Sequence, residues 1–177
     1  MSRVEILISG FGGQGVIRIG QILGLAGVKS GLRATMLKSH GTETRGGYVR
    51  AQVVLSDSVI DSMNTENPDI FVAMSKAAYD RFYHLSGENG IIVYDPAYVM
   101  QLQGTPAEQR PVAARDLAVE KVGKELFANV IILGYIIRKL DGLIDYDSAV
   151  SALTEIMPRA HEENRKAFDI GYSFQSV

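Results

Sequence analysis

Residues 6–15, ILISGFGGQG, decide how this chain is expected to fold. An apolar strand ends in a tight turn whose Gly10, Gly12 and Gly15 have G-x-G-x-x-G spacing, and a helix is predicted to follow from Val16. Such a turn is an anion site, because unpaired backbone N–H groups and the positive end of the helix dipole point at the same spot. Without side chains in the way, a phosphate can reach the backbone.

The second predicted strand tests whether this turn binds a dinucleotide. A dinucleotide fold has an Asp or Glu about 20 residues after the glycines, where it holds the ribose hydroxyls. Here the strand over residues 33–37 is followed by Lys38, Ser39 and His40, and the first acid is Glu43. The sequence therefore argues against NAD, although Lys38 and His40 suit the extra phosphate of NADP. The alternative is structural, with the glycines only letting the first helix pack closely on the sheet.

Length and composition limit the possible functions. The 177 residues are expected to form a single domain, residues 1–177, and the net charge of −2 excludes a generic nucleic-acid binder. Because the chain has no cysteine, it can hold neither a disulfide nor a Cys-ligated iron–sulfur cluster. The longest apolar run, residues 130–137, is shorter than the ~18 residues of a membrane span, and no signal-peptide core is present. A cytoplasmic protein without membrane contact is expected.

Strands and helices alternate along the first half of the chain. Residues 16–29 form a predicted helix whose interior Gly20, Gly24 and Gly27 each cost about 1 kcal/mol and so require a strand or partner chain close by. Residues 48–55 alternate like a half-exposed strand near an edge of the sheet or under a partner. Buried strands are predicted over residues 69–74 and 91–94, with a helix over residues 76–85 between them.

The second half of the chain is mainly helical. Residues 97–111 lack a regular pattern and are predicted to be a loop that is mobile or contacts a partner. Predicted helices then cover residues 116–126, residues 130–140 with Asn129 as the cap, residues 148–157 with Asp147 as the cap, and residues 161–168. From Gly171 onward no partner is evident. This order predicts an α/β fold: a Rossmann-like, mainly parallel sheet flanked by helices, with a helical C-terminal part.

A second glycine loop, SHGTETRGG, covers residues 39–47. If it lies at the carboxyl ends of the strands, it faces the first glycine turn across a crevice. Arg45 could then grip a phosphate or carboxylate with two hydrogen bonds, while Gly46 and Gly47 let the backbone approach the ligand. The alternative is a structural loop in which Glu43 pairs with Arg45.

Catalytic and metal-binding patterns are missing from the sequence. His40, His84 and His161 are scattered, so no metal site is expected. There is no G-x-S-x-G elbow, no phosphate-binding G-x-x-x-x-G-K-[ST] run and no obvious acid/base pair of carboxylates. Gln14 could orient a ligand or a neighbouring chain, or cap its own loop. The chain alone is therefore not expected to be catalytic.

Two blocks together, GFGGQG at residues 10–15 and SHGTETRGGYVRAQV at residues 39–53, resemble the gamma subunit of 2-oxoacid:ferredoxin oxidoreductases. The likeness continues through PDIFVAMS, ANVIILG and ENRKAFDIGY, at residues 68–75, 128–134 and 163–172, and so covers nearly the whole chain. His40 and Thr42 depart from the family pattern, which more often has an aromatic residue and a proline there.

This resemblance implies a multi-subunit enzyme that decarboxylates a 2-oxoacid on thiamine diphosphate, passes electrons through iron–sulfur clusters to ferredoxin and delivers the acyl group to coenzyme A. Thiamine diphosphate and the clusters belong to partner subunits, so this chain alone binds no cofactor and shares coenzyme A as a substrate. The implied partners are alpha and beta subunits and, in complexes that have one, a ferredoxin-like delta subunit; a homodimer is also open. The expected oxoacid is 2-oxoglutarate, with a branched-chain oxoacid or pyruvate as alternatives.

The resemblance also implies that the two glycine turns help to bind coenzyme A, through backbone contacts at the first turn and a charge contact from Arg45. For Gln14 and Arg45, contact with a catalytic subunit is an equally weighted alternative to contact with coenzyme A. The candidate binding residues are Gly12, Gly13, Gln14, Gly15, Arg45, Gly46 and Gly47. Two rival hypotheses are a free-standing NADP-binding oxidoreductase and a purely structural docking module.

Overall fold

A six-stranded sheet with helices on both faces forms the framework of the computed structural model, which describes residues 3–40, 48–100 and 102–175. The strands are β1 (Arg3–Phe11), β2 (Arg33–His40), β3 (Tyr48–Ser56), β4 (Ile70–Ala73), β5 (Ile91–Tyr94) and β6 (Glu108–Pro111), and their spatial order is β2-β3-β1-β4-β5-β6. β1, β4, β5 and β6 run parallel to one another, whereas β3 runs antiparallel to both β1 and β2. The predicted α/β fold with a mainly parallel sheet is confirmed.

The helices divide unequally between the two faces. They are α1 (Val16–Lys29), α2 (Lys76–Phe82), α3 (Ala114–Leu117), α4 (Ala128–Lys139), α5 (Tyr146–Ile156) and α6 (His161–Tyr172). The face of β1 that carries Ile6 and Ile8 packs on α1 and α4, with α5 and α6 outside them, and the face that carries Leu7 packs on α2. Within the described residues, each helix is too short or too polar to cross a lipid bilayer.

Two of the three interior glycines of α1, Gly20 and Gly27, lie directly on the sheet as predicted. The prediction was wrong for Gly24, where the nearest atom to an added Cβ would be the Cβ of Ala34 at 4.0 Å. A Cβ on Gly20 would lie 3.0 Å from the Cβ of Ala51, and one on Gly27 would lie 2.6 Å from Cδ2 of Leu55. Both contacts are with β3, which lies between the two strands that α1 connects. The close neighbours are therefore strands of this chain: the inserted β3 at both glycines and, at Gly20, also β2, whose Met36 Cε would lie 2.9 Å from the added Cβ.

Three predictions about strands were wrong in part. β2 continues to His40, so Ser39 belongs to the strand and not to the loop. β3 is buried over residues 51–56 because β2 covers its edge and the polar Gln52 finds an internal donor, the backbone N–H of Thr65, at 3.0 Å. β6 was missed within the predicted loop, since its sequence EQRP lacks the apolar residues of a buried strand.

The helical part also differs from its prediction in detail. The helix expected over residues 116–126 is broken into α3, a π-helical turn (Ala118–Val122) and a 3-10 turn (Glu125–Phe127). Asn129 does not cap the next helix: α4 begins at Ala128, with Phe127 before it, and Asn129 lies inside the first turn. The side chain of Asn129 therefore does not cap α4 as the sequence suggested.

Asp145, and not Asp147, caps α5. One carboxylate oxygen of Asp145 accepts the backbone N–H of Ser148 at 2.8 Å, and the other accepts the hydroxyls of Ser148 at 2.7 Å and of Ser30 at 3.0 Å. Because Ser30 directly follows α1, the same carboxylate fastens α5 to α1. The hydrogen bonds from Ser148 and Ser30 lower the pKa of Asp145 below its usual range.

Replacing Asp145 by Ala is expected to lower the free energy of unfolding by about 1 kcal/mol at pH 7, because the N-terminal N–H groups of α5 lose their acceptor. A depressed pKa contributes stability only while the carboxylate is charged, so the difference between variant and parent shrinks as the pH falls through the folded-state pKa. Urea unfolding at pH 7 and at about pH 3 measures both values. Asp147→Ala is the control, expected within about 0.5 kcal/mol of the parent; a loss equal to that of Asp145→Ala would contradict the assignment.

Candidate functional site

The first glycine turn and the strand ends that flank the second glycine loop lie at the same edge of the sheet. β1 ends at Phe11, which pairs with Tyr48 at the start of β3, and β2 ends at His40, which pairs with Val49. The second loop itself, residues 41–47 with Arg45, Gly46 and Gly47, lies outside the described residues. Its stems nevertheless stand at the carboxyl ends of β1 and β2, beside the first glycine turn.

A crevice opens at this edge between β1 and β4. The two strands are neighbours, but the helices that follow them, α1 and α2, lie on opposite faces of the sheet. Ligands of open α/β sheets bind at such switch points, outside the carboxyl ends of the strands. The crevice here is a cavity of about 190 Å³, and its lining includes Gly13, Gln14, Asp95, Tyr98, Glu125 and Asn129 together with the apolar Met74, Leu126 and Ile132.

Gln14 closes the floor of the crevice. Its Oε1 accepts the backbone N–H of Phe11 at 2.7 Å, and its Nε2 donates to the carbonyl oxygen of Met74, just after β4, at 2.8 Å. Gly10 leaves the necessary room, because a Cβ there would lie 2.5 Å from Oε1 of Gln14 and 2.8 Å from Cβ of Met74. Gln14 thus caps its own loop, one of the roles that the sequence left open, and links two strands; its contact with coenzyme A or a partner subunit stays a prediction.

The rest of the first turn presents bare backbone. Gly13 and Gly15 have φ of 89° and 82°, in the left-handed region that glycine tolerates best. Gly12 and Gly13 are exposed, and a Cβ on either would meet nothing within 4 Å. α1 starts without a side-chain cap, so its first N–H groups are available to a ligand. Contact of these glycines with coenzyme A stays a prediction.

Asn129 forms the wall opposite this turn. A Cβ on Gly15 would overlap Nδ2 of Asn129 and lie 3.3 Å from its Cγ, so the amide is packed directly on the glycine. The Oδ1 of Asn129 is buried and accepts no hydrogen bond from the described residues. Sequence reasoning missed this residue as part of the site, because an Asn at the start of a helix is usually read as a cap.

Asp95 forms the deeper wall and was also missed. It follows β5, is only 1% exposed, and accepts the backbone N–H of Ala97 at 2.9 Å and that of Arg115 at 2.7 Å. Burial raises the pKa of Asp95, and the two N–H donors act in the opposite direction. The carboxylate thus fastens the chain after β5 to the chain after β6, which keeps the crevice in shape.

Tyr98 and Glu125 complete the acidic side of the crevice. The Tyr98 hydroxyl donates to Glu125, whose Oε1 also lies 3.4 Å from Nε of Arg115. Burial and the hydrogen bond to Glu125 raise the pKa of Tyr98 to about 12, and the same hydrogen bond lowers the pKa of Glu125. With the carboxylates of Asp95 and Glu125 beside one arginine, this side of the crevice is negative, in contrast to the N–H groups of the glycine turn.

The amino-acid sequence matches the family model for pyruvate ferredoxin/flavodoxin oxidoreductase over residues 5–174. The chain belongs to this family. It is 37% identical over 177 residues to 2-oxoglutarate synthase subunit KorC of Methanothermobacter marburgensis, covering 96% of this chain and 95% of that protein. It is 31% identical to the crystal structure of the keto/oxoacid ferredoxin oxidoreductase gamma subunit of Geobacter sulfurreducens, with a TM-score of 0.84 and 96% of each chain covered. The resemblance to a gamma subunit is confirmed.

A larger enzyme of this kind contains the same fold. The 2-oxoglutarate:ferredoxin oxidoreductase of Magnetococcus marinus, solved with 2-oxoglutarate, coenzyme A and succinyl-CoA, matches the whole of this chain with a TM-score of 0.87. The match covers 32% of that chain at 21% identity, which establishes a shared fold.

The inserted strand separates this family member from a dinucleotide fold. In a dinucleotide fold the strand after the first helix lies next to β1, so that its end reaches the ribose. Here β3 lies between β1 and β2, which moves Lys38 and His40 about 10 Å from β1 at ~5 Å per strand. The geometry therefore disfavours the NADP hypothesis.

Two other features of the family member lie away from the crevice. A groove of about 890 Å³ runs along α6, but exposed charged side chains such as Lys121, Glu162 and Lys166 line it, and the first glycine turn is not part of its lining. His84 and His161 are exposed on helices, as expected. Among the described residues no three His, Asp or Glu side chains are grouped to hold a metal ion.

Proposed function

We propose that this chain is the gamma subunit of a multi-subunit 2-oxoacid:ferredoxin oxidoreductase that converts 2-oxoglutarate to acyl-coenzyme A, CO2 and reduced ferredoxin. The observation that carries the proposal is the match along almost the whole chain to a 2-oxoglutarate synthase subunit. The absence of cysteine fits this division of labour, since iron–sulfur clusters are held by Cys thiolates. Alpha and beta subunits, and a delta subunit where present, would supply the clusters and thiamine diphosphate in the cytoplasm.

The carboxyl edge of the sheet suits a shared coenzyme A site. Coenzyme A carries several phosphates, and the bare N–H groups at Gly12, Gly13 and Gly15 offer donors without requiring a basic chain. A whole ligand of this size needs a pocket of roughly 300–1,000 Å³, so a crevice of about 190 Å³ can hold only part of it. The remainder would lie against Arg45, Gly46 and Gly47 and against a partner subunit.

Docking is the second role that we propose for the same edge. Phe11 is 41% exposed, and the guanidinium of Arg81 lies 4.7 Å from the ring centroid of Tyr48. On the same side, Arg50 lies 5.6 Å from the ring centroid of Phe82. In the described part of the chain neither arginine has a carboxylate partner, and aromatic residues and arginine are enriched at subunit interfaces.

The test is the activity of the complex purified with this chain. We expect coenzyme A-dependent reduction of ferredoxin with 2-oxoglutarate, and weaker or no reduction with pyruvate or a branched-chain oxoacid. Saturable micromolar binding of NADPH to the chain alone, without oxoacid oxidation by any complex containing it, would favour the rival hypothesis. Arg45→Ala then separates the two roles, with Arg33→Ala at the opposite end of β2 as control: a raised KM for coenzyme A in an intact complex indicates ligand contact, and lost assembly indicates docking.

A further inference from the structure

The lining of the crevice includes an amide whose oxygen has no hydrogen-bond donor among the described residues. Asn129 packs on Gly15 and lines the cavity, and its buried Oδ1 accepts no hydrogen bond from the described residues. Gln14, the other amide in the crevice, is already bonded at both ends to the backbone. Asn129 is thus the amide of this cavity that has hydrogen-bonding capacity left.

This arrangement is unfavourable for the chain alone. A buried amide oxygen without a donor is rare in folded proteins, because it loses its hydrogen bonds to water and gains none in return. An apolar side chain of similar shape would avoid that loss. Gly15 also keeps the place free, since a Cβ would displace the amide. A ligand that forms hydrogen bonds with Asn129 explains both the unpaired amide oxygen and the need for a glycine at position 15.

The surrounding charges identify the part of the ligand that fits. Asp95 is buried, and Glu125 lines the same crevice with its side chain 51% exposed, so the two carboxylates disfavour a phosphate or carboxylate beside them. A primary amide offers one acceptor and two donors side by side. Its natural complement is an uncharged group that also has a donor and an acceptor next to each other.

We infer that Asn129 binds an uncharged donor–acceptor group of the crevice's ligand. The inference rests on the proposed function: in coenzyme A, both the amides of the pantetheine arm and the amino-substituted edge of the purine have this chemistry. The phosphates then remain outside, at the N–H groups of Gly12 and Gly13. Asn129 is accordingly a binding residue of the crevice, whereas Gln14 shapes it.

Asn129→Leu in the assembled complex tests the inference, because Leu has a similar shape and no hydrogen bonds. We expect the KM and the calorimetric Kd for coenzyme A to rise about tenfold, with kcat and the KM for the oxoacid unchanged. The chain itself should resist urea as well as the parent or better, since the unpaired amide is gone. Thr35→Val is the matched control: Thr35 also has a buried hydroxyl without a partner, but on β2, and its substitution should leave the coenzyme A constants unchanged.

Fragments of coenzyme A distinguish the two sources of the group. Adenosine 3′,5′-bisphosphate carries the purine and pantetheine carries the amides, and the fragment whose inhibition constant rises about tenfold in Asn129→Leu contains the group that Asn129 binds. Unchanged constants for coenzyme A and for both fragments would overturn the inference while the proposed function stands. A parent complex without coenzyme A-dependent oxoacid oxidation would overturn both.

Discussion

Replacing Gly171 by Ala is expected to destabilise the chain by about 4 kcal/mol or more, an exceptional value for one methyl group. A Cβ on Gly171 would overlap the carbonyl oxygen of Ile131 and lie 2.7 Å from its carbonyl carbon and 3.0 Å from its Cα. All three are backbone atoms of α4. A side chain can rotate away from an added methyl group, but a helix backbone cannot, so α6 would have to leave α4.

The contact between α4 and α6 also depends on a glycine of α4. A Cβ on Gly134 of α4 would overlap the carbonyl oxygen of Phe168 and lie 2.8 Å from the backbone nitrogen of Tyr172. The two glycines therefore let α4 and α6 touch backbone to backbone. Because α4 is buried along most of its length, separating the helices would open the main core of the molecule.

Urea unfolding of the purified chain measures the effect, with Gly24→Ala as the matched control. Gly24 is also a glycine inside a helix, but the nearest atom to a methyl group added there would be the Cβ of Ala34 at 4.0 Å. That substitution should stabilise the chain by about 0.5–1 kcal/mol, since Ala favours the helix. Equal effects of the two substitutions would show that α4 and α6 are not in backbone contact.

Local sequence patterns predicted many of the helices and strands, but they did not predict which strands pair in the sheet. The helix over residues 16–29 and the strand over residues 91–94 have the predicted bounds. The position of β3 between β1 and β2 depends on hydrogen bonds across the sheet, which no periodicity encodes. Gln52 illustrates the difficulty, because a polar residue that is buried with a partner looks, in sequence, like one that faces water.

The sequence indicated the backbone of the candidate crevice, whereas two of its lining side chains were missed. The glycine spacing correctly indicated a tight turn before α1 and, with the second loop, a shared edge of the sheet. Asn129 and Asp95 come from distant segments, and each has a plausible local role, as a helix cap and as the end of a strand. Only the fold brings them to the same crevice, so their part in it could not be predicted from neighbouring residues.

Replacing Gln14 by Glu is expected to be the second largest perturbation, although the two side chains have nearly the same shape. One carboxylate oxygen could still accept the N–H of Phe11, but the other would face the carbonyl oxygen of Met74 at the present 2.8 Å without a hydrogen between them. The new charge would also join those of Asp95 and Glu125 around the crevice. We expect a loss of about 2–3 kcal/mol at pH 7, against about 1–2 kcal/mol for Gln14→Met, which removes the hydrogen bonds without adding charge.

The pH dependence distinguishes repulsion from a simple loss of contacts. A protonated carboxyl can donate to the Met74 oxygen as the amide does, so the folded state binds this proton more tightly than the unfolded state and the pKa of the new group is raised above ~4.3. The loss caused by Gln14→Glu should therefore be small at pH 4, grow as the pH rises through the folded-state pKa, and be complete above it. The loss caused by Gln14→Met should not change with pH, because no titrating group is introduced. Urea unfolding of parent and variants at pH 4 and pH 7 gives the four differences; a pH-independent loss for Gln14→Glu would mean that Gln14 does not hold β1 and β4 together through a donated hydrogen bond.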